Sequence, residues 1–222
     1  MNRIVGLMAV LIVSGVHCGT SAARETGDTT QPSGAVPQYQ ARFAARTRGS
    51  GPVTVYELFD FQCPFCRDFA LHTFPSVDSL YLRTGKIRWV VINNPIERHA
   101  NAERAAEVMM CAGRAGKFWE LSNRVLDQQE QWAELQHPES VFYVLASSVG
   151  LDTASIANCI QSGAGSAEVR ADAAFLSAMG FPREGVPTFV VSGRKVAQGA
   201  VPFAAFRRVL DSLVAARSRE TS

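Results

Sequence analysis

The sequence predicts an α/β protein in which one β-sheet is interrupted by a large all-helical insertion. Three observations carry the prediction. Apolar, β-rich runs occur near residues 53–61 and 87–92 and again near 188–198, with no convincing strand between residues 98 and 179. Helix-period apolar stripes follow the strand runs on both sides of that gap. The two strand-and-helix halves are each too small to be stable alone, so they belong to one sheet.

The elements follow in order. Arg3, the apolar stretch Ile4 to Val13 and the small-residue region Thr20-Ser21-Ala22-Ala23 predict an export leader over residues 1–23. That stretch falls short of the roughly 20 apolar residues a spanning helix needs, which argues against an uncleaved anchor. Cys18 offers lipid attachment as another route to a membrane. The preceding Gly15-Val16-His17 puts a bulky side chain where a small one is wanted, so Cys18 is expected to leave with the leader. Residues 24–50 are polar and rich in Gly, Thr, Gln and Pro, and read as a linker with one short helix around Tyr39 to Arg46. The folded domain is expected over residues 51–217, with 218–222 as a tail.

Val53 to Phe61 is apolar on both alternating faces except at Thr54, Glu57 and Asp60, the pattern of a central strand covered on both sides. From Pro64 to about Arg83, Ala70, Phe74, Val77 and Tyr81 form a helical stripe that Thr84-Gly85 ends. Pro75 should kink or split this helix. Ile87 to Ile92 is a second strand, closed by Asn93-Asn94-Pro95. The region 98–179 reads as helices punctuated by Gly113, Gly116, Pro138, Gly150 and Gly163. Thr188 to Val191 and Lys195 to Gln198 then form a hairpin around Ser192-Gly193-Arg194, and a last amphipathic helix runs from about Pro202 to Ala216.

Composition bounds the function. The 222 residues are 47% hydrophobic and 19% charged, and 22 basic residues stand against 20 acidic ones with no long run of like charge, which gives no nucleic-acid surface. Without Cys18 four cysteines remain, Cys63, Cys66, Cys111 and Cys159, an even count suited to two disulfides in an oxidising compartment. Cys111 and Cys159 both fall in the helical block. They either pair, closing a loop of about 50 residues worth about 4 kcal/mol in the chain-entropy model, or remain two separate buried thiols.

Cys63-Pro64-Phe65-Cys66 opens a predicted helix, so its two sulfurs lie on neighbouring parts of one face and can switch between dithiol and disulfide without backbone movement. Cys63 sits at the helix N-terminus, where unpaired N–H groups and the macrodipole lower a thiol pKa. It is the expected nucleophile, and Cys66 the resolving thiol. Pro64 loses no helical hydrogen bond in a first turn. A zinc site is the competing reading, but no second Cys-x-x-Cys or closely spaced pair exists among His17, His72, His99 and His137. An inert disulfide closing so short a loop would constrain the unfolded chain little. Glu57 shares a strand face with Val55 and Phe59, and an acid among apolar neighbours should have a raised pKa; the other reading is a carboxylate at the strand edge paired with a basic side chain.

Phe59-Asp60-Phe61-Gln62-Cys63-Pro64-Phe65-Cys66 resembles the active-site segment of the DsbA family of thiol-disulfide oxidoreductases. Gly116-Lys117-Phe118-Trp119 resembles part of that family's helical insertion, and Gly185-Val186-Pro187-Thr188-Phe189 its cis-proline loop. The resemblance implies a thioredoxin-like fold with the helical block inserted between its halves. It implies that Pro187 is cis beside the cysteine pair, that Val186 pairs main chain with an extended substrate alongside Pro64 and Phe65, and that Glu57 moves protons for the pair. It also implies a redox-active disulfide with no bound cofactor or metal, thiols of unfolded secreted proteins as substrates, and a membrane reoxidising partner of the DsbB or vitamin K epoxide reductase type. The best-known members carry His where this chain has Phe65, and its loss should raise the Cys63 pKa and weaken an oxidant. With no dimerisation segment in residues 24–50, a monomeric, periplasmic or otherwise extracytoplasmic dithiol oxidase is the simplest reading; a reductase, an isomerase or a non-catalytic binding module are the alternatives. Asp60 reads as solvated or capping, His99 as a helix-surface residue at a position familiar in the family, and Phe118, Trp119, Leu121 and Val125 as packing.

Overall fold

The computed structural model describes residues 41–181 and 185–220; the expected leader, Cys18, the expected linker as far as residue 40 and the last two residues of the tail lie outside them. Among the described residues five strands form one sheet: β1 (Thr47–Arg48), β2 (Val53–Phe59), β3 (Ile87–Asn93), β4 (Thr188–Val191) and β5 (Arg194–Gln198), in the order β1-β3-β2-β4-β5. β2 and β3 are parallel and the other pairs antiparallel. β2 is therefore central, as its two-sided apolar pattern requires. Val53, Val55 and Phe59 face the larger core and Leu58 the smaller one on the opposite side, the period-2 alternation of a strand.

The crossover from β2 to β3 is one helical run made of α1 (Pro64–Asp68), a π turn (Phe69–Thr73), α2 (Phe74–Val77) and a second π turn (Asp78–Leu82). Pro75 does not split it into two helices, because the helical run continues across it with a locally widened register. Phe74 N–H reaches back five residues to Phe69 O, so the register is already widened where the proline lacks a donor. Phe69 and Val77 are buried against the sheet.

Between β3 and β4 lie α3 (Ala102–Arg114), α4 (Phe118–Asp127), α5 (Gln129–Trp132), α6 (Glu139–Ser148), α7 (Thr153–Gln161) and α8 (Ala164–Ala178); α9 (Phe203–Glu220) closes the fold. The Asp152 carboxylate caps α7 by accepting the Ala154 and Ser155 N–H groups. α8 crosses α3 so closely that a Cβ on Gly165 would stand 2.6 Å from the Glu107 carbonyl oxygen. Phe118, Leu121 and Val125 are buried, while Trp119 stacks on Phe74 and lies under the Arg48 guanidinium.

Residues before the expected boundary at 51 are already packed on the domain. β1 pairs with β3, Phe43 is buried against Phe175, and the buried Arg46 meets the fully buried Asp172 of α8. Asp172 also accepts from Arg42 and from the main-chain and side-chain N–H groups of Asn93. A single carboxylate thus ties the N-terminal segment, β3 and the helical block together.

Candidate active site

β2 ends at Phe59, and a tight turn follows in which Cys63 N–H donates to Asp60 O at 3.1 Å. Cys63 is the N-cap of α1, Pro64 its first residue, and Arg67 N–H closes the first turn on Cys63 O at 3.1 Å. Cys63 and Cys66 are free thiols, both buried, whereas Phe65 is 59% exposed and Pro64 is exposed beside it. From the other half of the sheet comes the loop before β4. Its Val186–Pro187 bond is cis, and the Cys63 Sγ–H points at the Val186 carbonyl oxygen 3.6 Å away. The two segments that meet here are separated by 123 residues of chain.

The two sulfurs are electrostatically unlike. The Cys66 thiol, with the main-chain N–H groups of Cys66 and Phe65, hydrogen-bonds to the Cys63 sulfur and lowers its pKa from 9.0 to about 6, against the opposing effects of burial and of the Asp60 charge. Burial pushes the Cys66 thiol well above the ordinary value, and its hydrogen bond to Cys63 and the charges of Cys63 and Glu57 add to the rise. Phe65 therefore contributes to the thiolate through its N–H while its ring is directed to solvent.

Glu57 lies on the β2 face that supports α1. It is 3% exposed, and burial raises its pKa from 4.5 to about 8, partly offset by the Trp89 indole N–H donating to Oε2 at 2.8 Å. Its partner is thus an indole of the neighbouring strand, not a basic side chain at a strand edge. Oε1 is buried with no hydrogen-bond partner, which suits a carboxyl that holds a proton.

Asp60 keeps the capping half of its sequence reading and loses the solvated half, and His99 departs from its reading. Asp60 is 1% exposed, not solvated: Oδ1 accepts Gln62 N–H, and Oδ2 accepts Ile96 N–H and faces His99 Nδ1 at 2.8 Å. His99 is not on a helix surface but in the loop before α3, with its side chain largely covered. Three amides were missed altogether. Gln129 donates to both Phe61 O and Cys63 O, Gln62 donates to Ala133 O and accepts Asn101 N–H, and Asn101 donates to the Trp132, Ala133 and Leu135 carbonyls. They bind the cysteine turn to the helical block. The one signal available was polar residues inside otherwise apolar stretches.

Cys111 of α3 and Cys159 of α7 form a disulfide with Cα atoms 5.9 Å apart, within the helical block. Among the described residues no group of three or more His, Cys, Asp or Glu side chains is placed to hold a metal ion, and no helix is long and apolar enough to cross a membrane.

A parallel-antiparallel sheet with a buried Cys-x-x-Cys at a helix N-terminus and a cis-proline loop against it defines a redox-type thioredoxin domain. The profile of the Thioredoxin family matches residues 48–212, and the chain belongs to that family, with a DsbA-like arrangement of its helical insertion. BdbD from Bacillus subtilis superposes with a TM-score of 0.67 at 18% identity, over 76% of this chain and 92% of that one. The α-DsbA1 of Wolbachia pipientis gives 0.68 at 16% identity, over 80% and 94%. In sequence the chain is 32% identical over 161 residues to an Na(+)/H(+) antiporter NhaA of Salinispora tropica, a match covering 72% of this chain and 23% of the antiporter. It is 28% identical over 142 residues to a chain of Rickettsia conorii named as a candidate protein-disulfide oxidoreductase, covering 64% and 50%. The chain thus spans under a quarter of the antiporter and half of the Rickettsia protein.

Proposed function

We propose that this chain is a thiol-disulfide oxidoreductase that exchanges the Cys63–Cys66 disulfide with the thiols of exported proteins, acting as a dithiol oxidase. One observation carries the reading: two sulfurs in one helical turn with opposite proton affinities, Cys63 held toward thiolate and Cys66 toward thiol. A disulfide between such a pair is attacked at Cys63 by a substrate thiolate. Cys66 leaves and takes up a proton, for which the buried Glu57, with its pKa raised to about 8 and its charge felt at Cys66, is the proposed source. A second substrate thiolate attacks the substrate sulfur of the mixed disulfide, a substrate disulfide forms, and Cys63 departs as a stabilised thiolate. The pair gains two electrons, which a membrane partner of the DsbB or vitamin K epoxide reductase type would remove. Val186, beside the cis bond and with its carbonyl at the Cys63 sulfur, supports main-chain pairing with an extended substrate, and the exposed Phe65 and Pro64 give that substrate an apolar rim.

Export rests on the leader features of residues 1–23. A membrane-tethered form is the second reading, favoured by the antiporter relatives, which carry a segment like this chain within much longer proteins. The test is a pair of assays: oxidation of a reduced peptide and reduction of insulin, alongside the equilibrium of the cysteine pair with glutathione. Peptide oxidation lost in Cys63→Ser supports the oxidase. Insulin reduction with a potential near that of thioredoxin, about −270 mV, moves the protein to the reductases, and inertness in both assays leaves a binding module.

A further inference from the structure

We infer that Asp60 and His99 form a charge-compensating pair that positions the cysteine turn and sets the charge facing Cys63, so that His99 tunes the reactivity of the pair without touching substrate. The inference rests on Cys63–Cys66 being the redox pair. Asp60 is the one buried carboxylate in the cysteine turn itself: its carbonyl accepts Cys63 N–H, and its carboxylate holds Gln62 N–H with Oδ1 and Ile96 N–H with Oδ2. Beside these two main-chain donors, Oδ2 meets the His99 ring at 2.8 Å. A buried carboxylate so placed works against a thiolate at Cys63, and its charge raises that thiol. A protonated His99 would cancel this cost by neutralising Asp60.

The other charged groups around the turn do not supply the compensation. Glu57, on β2, is acidic and acts on Cys66. Arg67, on α1, is turned to Leu126 O and Glu130 on the helical block. Glu97 and Arg98, next to His99 in the loop, are exposed. His99 is the basic group that meets Asp60, and 39 residues of chain separate the two.

Substitutions of opposite expected effect at the two positions test the pair in the full chain, with the rate of Cys63 alkylation by iodoacetamide followed against pH. His99→Ala and His99→Gln should both raise the Cys63 pKa by about one unit, slowing alkylation at pH 5 about tenfold, because neither restores the positive charge. Asp60→Asn should lower it. A purely structural role would be met by the hydrogen-bonding Gln side chain and would disturb the turn in the same direction whichever partner is changed. A wild-type profile in His99→Gln overturns the inference, as does a shift of the same sign in His99→Gln and Asp60→Asn. If Asp60→Asn does not fold, the comparison of His99→Gln with His99→Ala decides alone: equal upward shifts support compensation, and rescue by Gln overturns it. Alkylation needs no substrate turnover, so a chain inert in thiol exchange would sink the proposed function while leaving this measurement intact.

Discussion

At the scale of single residues, Cys63 and Glu57 carry opposite linkages to pH. The Cys63 pKa is lowered from 9.0 to about 6, so its ionisation stabilises the reduced protein fully above 9.0, and that gain is lost as pH falls through 6. The Glu57 pKa is raised from 4.5 to about 8, so its contribution is full below 4.5 and is lost as pH rises through 8. The oxidised protein has no free Cys63 thiol. Its stability in urea titrations should therefore fall between pH 4.5 and 8, and Glu57→Gln should remove that slope. The stability of the reduced protein minus that of the oxidised one should grow from pH 6 to 9, each pKa unit being worth about 1.4 kcal/mol. Cys66→Ser should trap a mixed disulfide between Cys63 and substrate, visible as a covalent adduct on a non-reducing gel. The placement of Cys63 and Cys66 in one helical turn and of Glu57 on a buried strand face was legible in the sequence because motif spacing and strand alternation are local properties. Asp60, His99 and Gln129 were not, because what makes a polar side chain useful there is a partner brought in by the fold.

Among the elements, the N-terminal segment and the helical block are joined through Asp172. Asp172→Ala leaves the guanidinium of Arg46 buried without its carboxylate, and breaking a buried pair in this way costs about 3–5 kcal/mol. Chemical denaturation should show a loss of that size with peptide oxidation by the folded fraction retained. Removing the Cys111–Cys159 disulfide, whose cysteines lie 48 positions apart, should cost about 4 kcal/mol in the chain-entropy model. The expected readout is a lower urea midpoint, again with exchange at Cys63 unaffected, since the bridge lies within the helical block. β2, β3, β4 and the helical block were readable because each has strong apolar periodicity. β1 was not. Two residues, Thr47-Arg48, carry no pattern, and the segment earns its place through Phe43 and Arg46, whose partners lie more than a hundred residues away. The π turns on either side of α2 escaped for a related reason, since an apolar stripe is nearly the same whether a helix is regular or locally widened.

For the molecule as a whole, the order of elements placed the insertion between two halves of one sheet, and the meeting of Cys63 with Val186 follows from that closure. What a linear pattern could not convey is how firmly the cysteine turn is held by the inserted helices: Gln129 and Gln62 reach across from opposite directions, so the insertion acts on the reactive turn as well as covering it. The sheet also has two unlike ends. β1 is only two residues long, but β5 borders the sheet with no strand beyond it among the described residues. Arg194, Lys195 and Gln198 on it are exposed, and its pairing with β4 slips between Phe189 and Val190. An unfolded client has free strand-forming segments of its own, which could add to any flat, neutral border and stay there. A short, irregular border bearing two cations offers such segments a poor template, so under the proposed function extended clients would find their main-chain partners at the loop beside Cys63, where contact would end in chemistry and release.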